Sequence, residues 1–209
     1  MIQKLYVQFG SHWDSPPGWL NFDASPTLRL ERIPLIGKLV KKNTQRFPIS
    51  VRYGDIVKGL PVADNSCQGV YCSHVLEHLS LDDCRKALEN THRILKKGGI
   101  FRMVLPDLEY YINQYIKDRS AERATTFMQK TGLGQQKRPK RIVEMVSDIF
   151  GNSMHRWMWD FDSLSQELRR CNFNTIKRVK FGDSFDRSFR EVEKIDRWKN
   201  CLGIECKKN

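Results

Sequence analysis

The clearest pattern of apolar and polar positions runs from residue 69 to residue 105. Gly69 to Cys72 is a short apolar run bounded by turn residues, as expected of a strand buried on both faces. From Leu81 to Leu95 the residues Leu81, Cys84, Leu88, Thr91, Ile94 and Leu95 recur at helical spacing, and Asp82, Asp83, Arg85, Lys86 and Glu89 fill the other side. Ser80 stands where it can cap the N-terminus, with Asp82 and Asp83 at the positive end of the helix dipole. Lys96 and Lys97 suit the negative end, and Gly98 can take the left-handed conformation that closes a helix. Ile100 to Leu105 then reads as a second strand, stopped by Pro106. A strand, a helix and a strand in that order imply a parallel sheet.

The same reading extends to both sides. Leu5 to Gly10 predicts a first strand ending at a glycine, and Trp19 to Asp23 a second ending at a carboxylate. Ser25 opens a capped helix that leads into a basic helix or loop, and Ile49 to Tyr53 supplies a third strand before the turn Gly54-Asp55-Ile56. After Pro106 the pattern predicts a helix from Asp107, a capped helix over Ser163 to Arg170, a strand over Phe173 to Phe181 and a last strand over Cys201 to Lys208. The connection from Ser11 to Gly18 is too short for a crossover helix, since parallel neighbours generally need about a dozen residues or more between them.

Composition narrows the class. A chain of 209 residues, 40% hydrophobic and 29% charged, can bury one sizeable core, so residues 1–209 are expected to form one domain. An insertion at about 107–160 is the candidate lid or acceptor-binding segment. No apolar stretch nears the roughly 20 residues of a membrane span, and Met1 leads directly into a strand-like run, so a cytoplasmic protein without a transmembrane segment is expected. The six cysteines form no Cys-x-x-Cys pair and read as reduced core thiols. A formal net charge of +12, with basic clusters at 38–46, 130–141 and 169–180, favours an anionic partner but does not choose between nucleic acid, an acidic small molecule and a membrane surface. A solvated basic face explains the same charges.

Candidate chemistry gathers at the ends of the predicted strands. In parallel nucleotide-binding sheets the first strand ends in a glycine turn near the ligand and the second in a carboxylate that accepts from ribose hydroxyls, which singles out Gly10 and Asp23; turn chemistry is the plainer explanation of both. Glu77 and His78 follow the fourth strand and either bind ligand or fix the loop. His74 and His78 have the spacing of a zinc helix, but the wider ligand pattern is absent, so no metal is expected.

Taken together, Ser73-His-Val-Leu-Glu-His78, the Lys97-Gly-Gly turn, Gly54-Asp55-Ile56 and Ser15-Pro-Pro-Gly-Trp-Leu-Asn-Phe-Asp23 resemble the class I S-adenosylmethionine-dependent methyltransferases, in particular the small-molecule group called type 11. The resemblance spans nearly the whole chain and is strongest over 54–108. It implies an α/β three-layer sandwich with a Rossmann-like, mostly parallel seven-stranded sheet whose final strand is antiparallel. It also implies S-adenosyl-L-methionine as cofactor, held by Gly10, Asp23, Asp55, Ile56, Ser73 and His74. The family usually has Gly-x-Gly at the first turn; here Gln8 occupies the first of those positions, where a side chain would crowd the cofactor.

The expected reaction is methyl transfer to a small-molecule or glycan-like acceptor, with the anionic kind favoured by the charge. Such a transfer demands alignment and exclusion of water, and a base only for a weakly acidic hydroxyl or a protonated amine, for which His78 and His155 are the candidates. A nucleic-acid methyltransferase is the alternative that the charge favours, although the Asn/Asp-Pro-Pro-aromatic segment of base-amino methylation is missing. A non-catalytic binding protein with a degenerate donor site is the other. Oligomeric state is not legible in the sequence.

Overall fold

The computed structural model describes residues 5–34, 45–135 and 154–209. Seven strands, β1 (Leu5–Phe9), β2 (Trp19–Asp23), β3 (Val51–Tyr53), β4 (Cys67–Ser73), β5 (Leu95–Pro106), β6 (Phe173–Arg178) and β7 (Cys201–Lys208), form one sheet in the order β3-β2-β1-β4-β5-β7-β6. Neighbours from β3 to β5 pair in parallel, whereas β7 runs antiparallel to both β5 and β6. The expected sheet, including the antiparallel last strand, is therefore the one observed. The chain leaves β1 toward β2 on one side and returns to β4 on the other, so the ends of β1 and β4 flank a switch point where ligands of open α/β sheets bind.

Alternation along the strands divides the core. Val7, Phe9, Val70, Cys72, Phe101 and Met103 face the helix of the β4–β5 crossover, Leu81–Ile94, whose Cys84, Ala87, Leu88 and Ile94 are buried against them. The helix Phe161–Arg170 adds Leu164 and Leu168 to the same cluster. Among the described residues the helices, in chain order, are α1 (Pro26–Glu31), α2 (Leu81–Ile94), α3 (Leu108–Lys117), α4 (Arg123–Lys130) and α5 (Phe161–Arg170). On the other face, Tyr6, Trp19, Tyr71, Ile100 and Val104 are covered by Phe189, Val192 and Trp198. That layer comes from the connection at 179–200, which contains two short 3-10 turns, Arg187–Glu191 and Ile195–Trp198.

Caps set the helix starts. The Ser80 hydroxyl accepts from the Asp83 amide at 3.2 Å and opens α2. Asp160 opens α5, one turn earlier than expected, through a reciprocal box with Ser163. The predicted end of α2 requires correction. Gly98 does adopt a positive φ of 73°, but the helix has already stopped at Ile94, and Leu95 is extended and pairs with Cys67. Lys96 and Lys97 thus belong to β5, which carries an irregularity before Ile100, and do not cap a helix. The predicted strand after α5 ends at Arg178, short of Phe181.

Residues 10–18 join two parallel strands without a helix, as their length requires. The Asn21 amide donates to the carbonyls of Pro16 and Trp19, at 3.4 and 3.0 Å, and so fastens the loop to β2. Residues 38–44 of one expected basic stretch and residues 136–141 of another lie outside the described residues. All six cysteines are free, with Cys67, Cys72, Cys84 and Cys206 buried. Burial pushes the Cys84 thiol up to about 12 and that of Cys171 to about 11, which makes them poor nucleophiles. Among the described residues no helix is long and apolar enough to cross a membrane.

Candidate functional site

A cavity of about 490 Å³ opens at the switch point, between the ends of β1, β2 and β4. Gly10, Asp23, Ile56, Ser73, His74 and His78 all line it, together with Phe9, His12, Gly54, Val75, Asp196 and Arg197. Asp55 and His155 are not in its wall. The Asp55 carboxylate instead accepts from the Val57 amide at 3.0 Å and lies 3.8 Å from Lys58 Nζ, which shapes the turn that presents Ile56. Gln8 is buried within β1 and is likewise absent from the lining, so the crowding expected from it has no counterpart in this cavity.

Gly10 is needed on two counts. Its φ is +66°, and a Cβ there would lie 2.2 Å from Cγ2 of Val75. The turn therefore brings bare backbone against the loop after β4. Asp23, nearly buried, accepts from the His12 amide through Oδ2 at 2.9 Å and from the Ser25 amide through Oδ1 at 2.8 Å. These contacts are turn chemistry, and they hold both flanking loops open around the carboxylate. Each oxygen retains a further lone pair for a ligand hydroxyl. Ile56 and Pro26 give the adjoining wall its apolar surface.

At the other end, Arg197 donates to the Ser73 hydroxyl and carbonyl, at 3.2 and 3.1 Å. The His74 Nε2 donates to the Arg197 carbonyl at 2.9 Å, and its Nδ1 faces Oε1 of Glu77 at 3.2 Å, an ion-pair contact. Burial lowers the His74 pKa, but the Cys201 thiol, the Glu77 carboxylate and the Arg197 carbonyl outweigh it and raise it to about 10. His12 shows the opposite balance: burial holds its imidazole below the ordinary value despite the nearby Asp23.

Behind the cavity wall, the rings of His78 and His155 meet with centroids 4.9 Å apart. His78 Nδ1 donates to the Met154 carbonyl at 3.1 Å, and His155 Nδ1 to the Thr131 carbonyl at 2.6 Å. The amides of Arg156 and Trp157 both donate to the Glu77 carbonyl, at 2.7 and 3.1 Å. The loop after β4 and the end of the 107–160 segment are thereby joined. Trp159 is buried and Trp157 is exposed, although their rings stay 5.9 Å apart. Arg197 and Asp196 escaped the sequence reading, since nothing in Ile-Asp-Arg-Trp marks a residue that will meet Ser73 across 124 positions.

Residues 23–103 match the methyltransferase domain family, a segment that begins at Asp23 and leaves the Gly10 turn outside. No curated protein matches the chain. Among solved structures it is similar to an S-adenosylmethionine-dependent methyltransferase of Thermotoga maritima, described as a possible histamine N-methyltransferase, at 18% identity and a TM-score of 0.52, covering 98% of this chain and 81% of that one. It is also similar to such a methyltransferase of Archaeoglobus fulgidus, at 13% identity and a TM-score of 0.51, covering 98% and 86%. At these identities the likeness speaks for the fold. The chain thus has the Rossmann-like fold of the class I methyltransferases and a methyltransferase-domain segment within it, consistent with the type 11 group, a family that uses S-adenosylmethionine.

Proposed function

We propose that the protein transfers a methyl group from S-adenosylmethionine to a small-molecule or glycan-like acceptor in the cytoplasm. The observation that carries this reading is the cavity at the switch point, whose size is that of a small-molecule site and whose lining changes character from end to end. At one end Asp23 is available to ribose hydroxyls and Ile56 to an adenine face, with Asp55 shaping the turn that holds Ile56. At the other end Gly10 lets the backbone approach, and Arg197, with Ser73 and His74, offers a cation to an amino-acid carboxylate. The group bound there supplies an electrophilic methyl on sulfur, so the protein's work is alignment and exclusion of water.

The acceptor side is assigned to His78 and His155, the two imidazoles joined across the loop after β4. The segment at 107–160 is assigned as the acceptor-binding insertion of a single domain. Support comes from His155 and from the paired amides of Arg156 and Trp157, which bring this segment's end onto Glu77. Two imidazoles beside the cavity can take up or orient an acceptor proton. Titration calorimetry with S-adenosylmethionine and S-adenosylhomocysteine is the test. One-to-one binding, weakened in Arg197→Ala, is the expected result; absence of binding by a folded protein would leave a non-catalytic member of the fold.

A further inference from the structure

We propose that Glu77, His78 and His155 bind a divalent transition-metal ion at the edge of the donor cavity. One ligand atom from each of the three lies within 4.8 Å of the others. Glu77 is fully buried, and neither carboxylate oxygen has a hydrogen-bond partner. A carboxylate out of water needs compensation; His74 supplies it to Oε1 at 3.2 Å, and nothing among the described residues supplies it to Oε2. His74 lies on the Oε1 side, which leaves Oε2 to a ligand.

The two imidazoles are prepared in the way metal ligands are. Each gives its Nδ1 proton to a backbone carbonyl, so the nitrogen left with a free lone pair is Nε2 in both rings. The carbonyl contacts also fix the ring planes. Two imidazoles and one carboxylate form a donor set suited to zinc and to ferrous or manganous ions, and three protein ligands leave a position open. His78 belongs to both the cluster and the cavity lining, so that position borders the donor cavity. This departs from the expectation of no metal, which considered only His74 and His78 on an assumed helix. In the structure His74 has a positive φ and only Leu76–His78 is helical, as a 3-10 turn.

The ion's role rests on the methyl-transfer reading. A hydroxyl acceptor bound to it ionises more readily, as metal-bound water does. With their Nε2 lone pairs on the ion, His78 and His155 orient the acceptor and no longer take up its proton, which passes to water; the acceptor oxygen bonds the donor's methyl carbon, and the electron pair of the broken carbon–sulfur bond stays on sulfur.

The experiment uses chelator-treated protein titrated with Zn²⁺ by calorimetry and with Co²⁺ by visible absorption. One equivalent should bind, Co²⁺ should give d–d bands without a thiolate charge-transfer band, and affinity should fall at least about tenfold in His155→Ala and Glu77→Gln. His155 is half-buried and its truncation should fold, so that variant decides the matter if Glu77→Gln does not. Failure to bind one equivalent, or unchanged affinity in His155→Ala, would overturn the site. So would loss of binding in Cys201→Ser, since the Cys201 thiol lies 3.8 Å from His74 and is the competing soft ligand. S-adenosylhomocysteine binding by the same metal-free samples reports on the donor reading alone, so the two ideas fail separately.

Discussion

Arg102 Nε and Glu193 Oε1 meet 2.5 Å apart, with both side chains closed off from solvent. Arg102 stands in β5 on the face away from α2, and Glu193 belongs to the connection at 179–200. Glu205 of β7, Asp183 and the Lys180 carbonyl also receive the guanidinium, and the Trp198 ring lies 5.0 Å from it. The neighbour of Trp198 is Arg197, which reaches the cavity. A buried cation in the sheet therefore fastens the connection that brings a second arginine to the candidate donor site.

Removing one partner of a buried ion pair costs far more than the pair is worth, because the other charge is stranded. Arg102 keeps Glu205 and Asp183 in Glu193→Gln, so the loss of its most buried partner should lower the unfolding free energy by about 1–3 kcal/mol in urea titration. Asp183→Asn touches the same guanidinium from a side chain that is 44% exposed and should cost less than about 1 kcal/mol. Equal losses would mean that burial does not govern this network.

Gly10 and Val75 offer a cleaner separation of two effects. In Gly10→Ala the new Cβ meets Val75 Cγ2 at 2.2 Å and also sits on a backbone with φ of +66°. The backbone share is about 1–2 kcal/mol. In Val75→Ala the colliding methyl is gone, and the Val75 Cβ is 3.6 Å away, an ordinary contact. Gly10→Ala should therefore cost more in the parent than in a Val75→Ala background, with the remainder in that background near the backbone share. Unfolding of the four proteins in urea measures the cycle, and simple additivity would contradict the contact.

How much of this was legible depended on the range over which each feature is determined. β2 and β7 could be read to the residue because their apolar runs are bounded by turn residues. Leu95 misled because it satisfies the helical spacing of α2 and also pairs with Cys67, and pairing won. Asp23 could be named from its place after β2, but its two amide partners follow from the loop conformations. Arg197 was invisible: it reaches Ser73 across 124 positions, from a connection that Arg102 and Glu193 help fasten to the sheet. The approach of His155 to His78 is likewise a product of the fold, joining residues on separate segments.

His12 gives a pH dependence with a definite sign. Its ring packs against Trp13 and Phe47 and faces Asp23, Asp14 and Arg197; burial lowers its pKa, Arg197 lowers it further, and the two carboxylates oppose. The unfolded chain therefore binds this proton at a higher pH than the folded one. The stability His12 contributes is present above the unfolded value of about 6.5 and is lost as pH falls through the lowered folded value. Asn tolerates the positive φ of 53° found here, so His12→Asn should fold and should lose less stability than the parent between pH 7.5 and 5.5. An identical pH profile for the two proteins would remove His12 as a source.

The two ends of the cavity can be told apart by comparing affinity with stability. Asp23→Ala strands the His12 and Ser25 amides, so it should lower stability as well as donor affinity, by about 1–3 kcal/mol in binding if a ribose hydroxyl is also lost. Arg197→Ala removes a cation whose partners, the Ser73 hydroxyl and carbonyl, can return to solvent or to ligand. Its stability cost should be small, and its binding loss should fall on ligands that carry the amino-acid carboxylate. S-adenosylhomocysteine should therefore weaken by about tenfold or more in Arg197→Ala, as expected for a lost charge-assisted contact, while adenosine binding stays unchanged. In Asp23→Ala both ligands should weaken together. Equal weakening of adenosine and S-adenosylhomocysteine in Arg197→Ala would show that Arg197 shapes the cavity as a whole and does not bind the carboxylate end.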